Sequence, residues 1–154
     1  MKLTAPEERK IFWRLFDKRL AELGNPFDIV YELNGDIKYY GAVNKRSPLV
    51  SLGLTVDFLY RDQIVKLNIY IQDDVELFNY LHRNKEKIEQ ELGFKPQWIY
   101  SGEKNPDTRR VISTFSVAIG NPLDYQRVID RIIPYIIQYK KVFIKYIPDL
   151  CDYW

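Results

Sequence analysis

Strict alternation of apolar and polar residues runs through the middle of the chain. In "LVSLGLTVDFLY", Val50, Leu52, Leu54, Val56 and Phe58 fall on one side and Ser51, Gly53, Thr55 and Asp57 on the other. A period of two is what a strand with one buried face produces. "QIVKLNIYI" repeats it, with Val65, Leu67, Ile69 and Ile71 against Lys66, Asn68 and Tyr70. With Arg61-Asp62 as a two-residue turn, Tyr60 pairs with Gln63, Asp57 with Lys66 and Thr55 with Asn68. All the aliphatics then share one face, with a charge pair and a polar pair on the other.

The flanking segments carry other periods. Thr4 and Glu7 form a T-x-x-E capping box, Pro6 sits in the first turn, and Ile11, Phe12, Leu15, Phe16, Leu20 and Leu23 recur at helical spacing until Gly24. "FDIVYEL" and "DIKYYGAV" are joined through Asn34-Gly35, a hairpin signal. Asp73 or Asp74 opens a second helix that ends at Gly93. Its stripe is Phe78, Leu81, Ile88 and Leu92, completed by the stem of Lys85. Two more strands, "KPQWIYS" and "RRVISTFSVAIG", surround the loop "GEKNPDT". Asn121 caps a last helix, with Pro122 at its first position and Pro134 expected to kink it before its end near Tyr146. "LGNPFD" and "IGNPLD" reuse the same punctuation at a helix end and a helix start, with unmatched flanks and no true repeat. The order αββββαββα predicts an α+β fold, an antiparallel sheet with helices packed on one face.

Length and composition narrow the class. A chain of 154 residues, 46% hydrophobic and 29% charged, is expected to form a single globular domain over residues 1–154. The N-terminus has no apolar run of a secretory signal, and no stretch reaches the length of a membrane span, so a cytoplasmic protein without membrane contact is expected. One cysteine, Cys151, leaves no internal disulfide and no cysteine cluster for zinc. With 23 basic and 21 acidic residues the net charge is +2, so nucleic-acid binding would require a local basic patch.

Candidate chemistry is sparse. His82, the one histidine, stands about 100° from Leu81 on its helix and one turn before Glu86. A metal site needs three or four converging ligands, and a nucleophilic triad an activated Ser or Cys, and neither accompanies it. His82 therefore reads as a helix-face residue. Asp57 opposite Lys66 is reminiscent of nucleases that carry an Asp on one strand and an acid-x-Lys triplet on the next. The triplet here is Ile64-Val65-Lys66, which lacks the second carboxylate a Mg²⁺ ion calls for, and a cross-strand salt bridge is the simpler reading. No catalytic residue, metal ligand or cofactor is assigned.

Two basic features remain. Trp98 and Tyr100 flank a hairpin tip bearing Lys104, Arg109 and Arg110, the mixture of aromatic and basic side chains that unpaired bases require. Trp98 as an ordinary core residue is the competing reading. Arg127, Arg131, Gln138, Lys141 and Lys145 line one face of the last helix, where they could follow a phosphate backbone. The same residues serve as a solvated face whose cations favour the helix C-terminus, with Asp124 and Asp130 weakening the field.

An acidic cap followed by "ELFNYL", "KEKIEQELG" and "QW", with the earlier "FWRLFDKRL" and the strand "VKLNIYI", resembles an uncharacterised bacterial domain family often found downstream of a predicted restriction-endonuclease-like nuclease domain. The resemblance covers most of the chain and its motifs are structural. It implies an accessory module in DNA processing, restriction or phage defence, recognising nucleic acid or a partner. A chain of 154 residues is expected to leave no room for the nuclease domain, so the resemblance implies action with a nuclease in trans, or another role. The leading expectation is a non-enzymatic binding module for DNA or RNA. The alternatives are a protein-interaction subunit, as a homo-oligomer or docked to a partner, and lastly a metal-dependent hydrolase using Asp57, Lys66 and Glu86.

Overall fold

The computed structural model describes residues 2–24, 30–34, 37–40, 51–72, 75–99 and 108–146. The elements are α1 (Ala5–Glu22), β1 (Val30–Asn34), β2 (Ile37–Tyr40), β3 (Ser51–Leu59), β4 (Ile64–Gln72), α2 (Val75–Arg83), α3 (Lys85–Leu92), β5 (Gln97–Ile99), β6 (Thr108–Ser116) and α4 (Pro122–Tyr146). The strands form one antiparallel sheet in the order β1-β2-β3-β4-β6-β5. The fold is α+β, as the period changes predict.

The register of β3 on β4 is the one that the alternation requires: Thr55 opposes Asn68 and Asp57 opposes Lys66. β6 continues the pattern, with Val65 opposite Phe115 and Ile69 opposite Val111. Leu54, Val56, Phe58, Val65, Leu67, Ile69, Ile71, Val111 and Phe115 therefore share one face, all buried. The helices pack on that face. Phe12 of α1 stacks on Phe58 of β3 with ring centres 4.5 Å apart, and Tyr139 of α4 shares a 2.5 Å hydrogen bond with Ser113 of β6. Among the described residues no helix is long and apolar enough to cross a membrane.

The caps behave as their residue types demand. Thr4 Oγ1 accepts from the Glu7 N–H at 3.4 Å, and Asn121 Oδ1 accepts from the Asp124 N–H at 3.3 Å. Gly24 ends α1 with φ of +80°, a conformation that costs a glycine little. In β1–β2, Asn34 opposes Ile37, so the strand pair closes one residue later than an Asn34-Gly35 turn would. The intervening Gly35 and Asp36 lie outside the described residues, as do Asp73 and Asp74.

Two helices differ from expectation. The segment predicted as one helix to Gly93 is broken at Asn84 into α2 and α3. The Asn84 N–H bonds back to Leu81, three residues earlier, while its side-chain Nδ2 takes over the Tyr80 carbonyl at 2.9 Å. An asparagine that competes with its own backbone in this way tightens and ends a helix. The apolar stripe survives the break, since Phe78, Leu81, Ile88 and Leu92 are all buried. α4 passes through Pro134 without ending. The missing proline N–H leaves the Asp130 carbonyl without its intrahelical donor, and the buried residues on either side hold the helix together.

A buried polar relay ties α1 to α4. Glu8 is 3% exposed, and its Oε2 accepts a hydrogen bond from the Tyr125 hydroxyl. That hydroxyl in turn accepts from the Gly120 N–H at 2.9 Å. Burial and the carboxylate push the Tyr125 phenol above its ordinary pKa. The ring lies edge-on to both Phe12 and Phe58, at 5.8 and 5.6 Å. Tyr125→Phe keeps the packing and strands the buried Glu8 carboxylate, so unfolding stability is expected to fall by about 2 kcal/mol in a denaturant titration. A change under half of that would contradict the relay. Gln63 holds φ of +53° in the β3–β4 turn, its carbonyl fixed by the Val117 N–H at 3.0 Å. Gln63→Gly relieves a left-handed residue and is expected to raise stability by about 0.5 kcal/mol after the unfolded-chain entropy of glycine is counted. A lower melting temperature would contradict that.

Candidate ligand-binding groove

Of the described basic and aromatic residues around β5 and β6, Trp98 and Arg109 fall on one face of the sheet and Arg110 on the other. Trp98 opposes Val111 and so lies on the helix side of the sheet. There it packs against Phe78 at 6.2 Å, His82 at 5.7 Å and Phe143 at 6.5 Å between ring centres. Arg109 opposes Ile71 and Arg110 opposes Tyr70, so their side chains leave opposite faces of β6. Tyr100 and Lys104 lie outside the described residues. His82 stacks on Phe78 at 6.0 Å, at the half-buried margin of the core. It completes an aromatic cluster with Trp98.

The opposite sheet face is partly closed. Thr55, Asp57 and Asn68 are 4%, 9% and 7% exposed, and Asn68 Nδ2 donates to Thr55 Oγ1 at 3.4 Å. Asp57 stands opposite Lys66 in register, yet the two form no ion pair. The salt bridge expected from the sequence is therefore absent, although the pairing that suggested it is present. Among the described residues no group of three or more His, Cys, Asp or Glu side chains is placed to hold a metal ion.

The cations of α4 divide along its length. Lys145 lies 3.9 Å from Glu91 of α3, and Gln138 Nε2 donates to the Glu91 carbonyl at 2.9 Å. Lys141 is exposed. Arg127 and Arg131, nearer the start of the helix, border an open groove of about 520 Å³ between β6, α4 and the turn from α3 to β5. Among the described residues, Lys95 is the third cation on its wall and no acidic residue lines it. The floor is aromatic. Phe94 stacks on Tyr135 at 4.1 Å, Tyr135 meets Phe115 edge-on at 5.0 Å, and the Arg131 guanidinium lies 5.5 Å above the Phe115 ring. Arg127 is held by Asp124 at 2.5 Å, whereas Lys95 and Arg131 have no carboxylate partner among the described residues.

The groove exists because β5 is short. Gly93, with φ of +81°, turns the chain out of α3, and the buried Pro96 stands immediately before Gln97. Proline fixes its φ at about −65°, away from the extended values of a strand, and β5 starts only after it. Gln97 to Ile99 therefore cover Ile112 to Arg110, while among the described residues the rest of β6 towards Ser116 has no strand on that side. The backbone direction is fixed by Val117, whose N–H bonds to Gln63 on the β4 side. Backbone groups of successive strand residues point alternately to the two neighbours. Thr114 and Ser116 accordingly turn theirs towards the groove, where Arg127 Nη2 reaches the Ser116 carbonyl at 3.4 Å. The Thr114 N–H and carbonyl and the Ser116 N–H have no protein partner among the described residues.

Sequence reasoning found Arg127 and Arg131 and missed Lys95, Phe94, Tyr135 and the β6 edge. A signal for the edge was present in Pro96, which shortens one strand of a hairpin whose other strand runs on. By contrast, the cleft between α1 and α4 is lined by both charges, and Arg19 there is bound to Asp130 at 2.9 Å and to Glu22 at 3.2 Å.

The fold and its groove define an α+β domain in which, among the described residues, a six-stranded antiparallel sheet carries the helices on one face. The chain belongs to the family described as Domain of unknown function (DUF4268), whose model matches residues 8–147. No curated protein and no solved structure matches the chain.

Asp124 anchors the groove's upper corner. Its carboxylate accepts from Arg127 and, at 2.6 Å, from the Ala118 N–H, and these two hydrogen bonds hold it below the usual carboxylate range. A depressed carboxylate contributes stability that is present above its unfolded pKa and lost as pH falls through the folded one. Wild type is therefore expected to be more stable than Asp124→Asn near neutrality. The gap should shrink below about pH 4, the ordinary aspartate range. Thermal melts across pH check this, and a gap that does not change with pH would contradict it.

Proposed function

We propose that this domain is a non-enzymatic recognition module whose ligand lies in the groove between β6 and α4, and that the ligand is an extended anionic chain. The observation that carries the reading is the lining among the described residues: three cations, two of them without a carboxylate partner, and no acidic residue, over an aromatic floor. In the neighbouring cleft between α1 and α4, by contrast, Arg19 is matched by Glu22 and Asp130. Clustered cations unmatched by the protein favour an anion from outside.

The resemblance to a family found beside nuclease domains supports an accessory role in DNA processing, restriction or phage defence. In that setting the anionic chain is nucleic acid, DNA or RNA, or an acidic segment of a partner such as a nuclease acting in trans. Fluorescence anisotropy with single- and double-stranded DNA and RNA, and with polyglutamate, tests the groove as the site. At least one probe is expected to bind with an affinity that falls steeply as salt rises. Lys95→Glu combined with Arg131→Glu should weaken it at least tenfold, with the fold intact by circular dichroism. Binding that is indifferent to this double reversal, or absent for every probe, would remove the groove from consideration.

A further inference from the structure

We infer that the groove takes an acidic peptide segment of a partner protein in extended conformation, added to the open edge of β6 as a strand in line with β5. The inference rests on the groove being the recognition site, and it chooses between the anionic chains that could fill it.

Hydrogen-bond complementarity makes the choice. The edge presents the Thr114 N–H, the Thr114 carbonyl and the Ser116 N–H. A ligand that satisfies all three must donate as well as accept at a spacing of one residue in two. A peptide backbone alternates the two, whereas a sugar-phosphate backbone offers acceptors, with the RNA 2′-hydroxyl as its one donor. The geometry is also that of a strand already half built. β5 pairs antiparallel with Ile112 and Arg110, and the next outward pairing, Lys95 with Thr114, is not made because the chain leaves the sheet at Pro96. An incoming strand therefore continues an existing ladder, the route by which exposed sheet edges capture peptides.

Charge and shape select which peptide. Side chains of an added strand alternate between the two sheet faces. On the helix side they meet Phe94, Tyr135 and the Arg131 guanidinium above Phe115, which suits an apolar or aromatic residue next to a carboxylate. Lys95, exposed on the opposite wall, offers a second cation to a further acidic residue. Thr114 and Ser116 are exposed, so no bulky side chain from β6 blocks the approach.

Selection of a random displayed peptide library against the purified protein, followed by calorimetry on the enriched sequences, tests this. The expected result is acidic, proline-poor peptides. Their binding should drop at least tenfold with Thr114→Pro, which removes one groove-facing N–H and leaves the β4 ladder untouched. Should that variant lose its fold, ligand-side chemistry decides instead: N-methylation at alternate backbone nitrogens abolishes binding at one phase and spares it at the other. A library without acidic peptides, or enriched peptides equally tolerant of N-methylation at every position, would overturn the strand-addition inference. If oligonucleotides nonetheless bind and respond to reversal of Lys95 and Arg131, the groove remains the site and its ligand is nucleic acid. If nothing responds to that reversal, both readings fall together.

Discussion

The register of β3, β4 and β6 governs everything else in this molecule. Because side chains alternate strictly along a strand, one register places nine aliphatic and aromatic residues of these three strands on one face, and a slip by one would expose them all. That face then draws every helix to one side of the sheet, with Phe12 stacked on Phe58 and α4 lying across β6. A sheet covered in this way has two edges, and the length of the outermost strand decides how much of an edge is left open. Pro96 keeps β5 short, and four residues of β6, Ser113 to Ser116, run beyond it. The groove follows from a hydrophobic constraint and a proline.

Period-two reasoning read the sheet well for the same reason. The pairing of Asp57 with Lys66 and of Thr55 with Asn68 was legible because only one register kept Leu54, Val56, Val65 and Leu67 together. Helix limits marked by Thr4, Gly24, Asn121 and Pro122 were equally legible, since each residue satisfies or releases backbone groups locally. The break at Asn84 was not, because an asparagine between two stretches of one apolar stripe leaves the stripe intact and alters only a single carbonyl. Nor does register decide contact: Asp57 and Lys66 face each other with no ion pair between the two.

The recognition surface was harder to see because proximity in sequence and proximity on a surface are different things in a strand. Arg109 and Arg110 are neighbours in the chain and leave opposite faces of β6, and Trp98 turns inward to Phe78 and Phe143. Arg131 and Lys95, 36 positions apart in the numbering, border one groove. Only the way α4 crosses β6 brings them together, and no local pattern encodes that crossing. Composition hid it as well, since a net charge of +2 averages away a wall that, among the described residues, has three cations and no acid.

The central claim is that β6 keeps an open hydrogen-bonding edge beside Thr114 and Ser116. Amide hydrogen exchange of the free protein, resolved by residue along β6, tests it most directly. The account predicts slow exchange at Val111, Ser113 and Phe115, which bond to β4, and at Ile112, which faces β5, against fast exchange at Thr114 and Ser116. Protection at Thr114 and Ser116 equal to that of their neighbours would mean that the edge is already occupied, and would contradict the account.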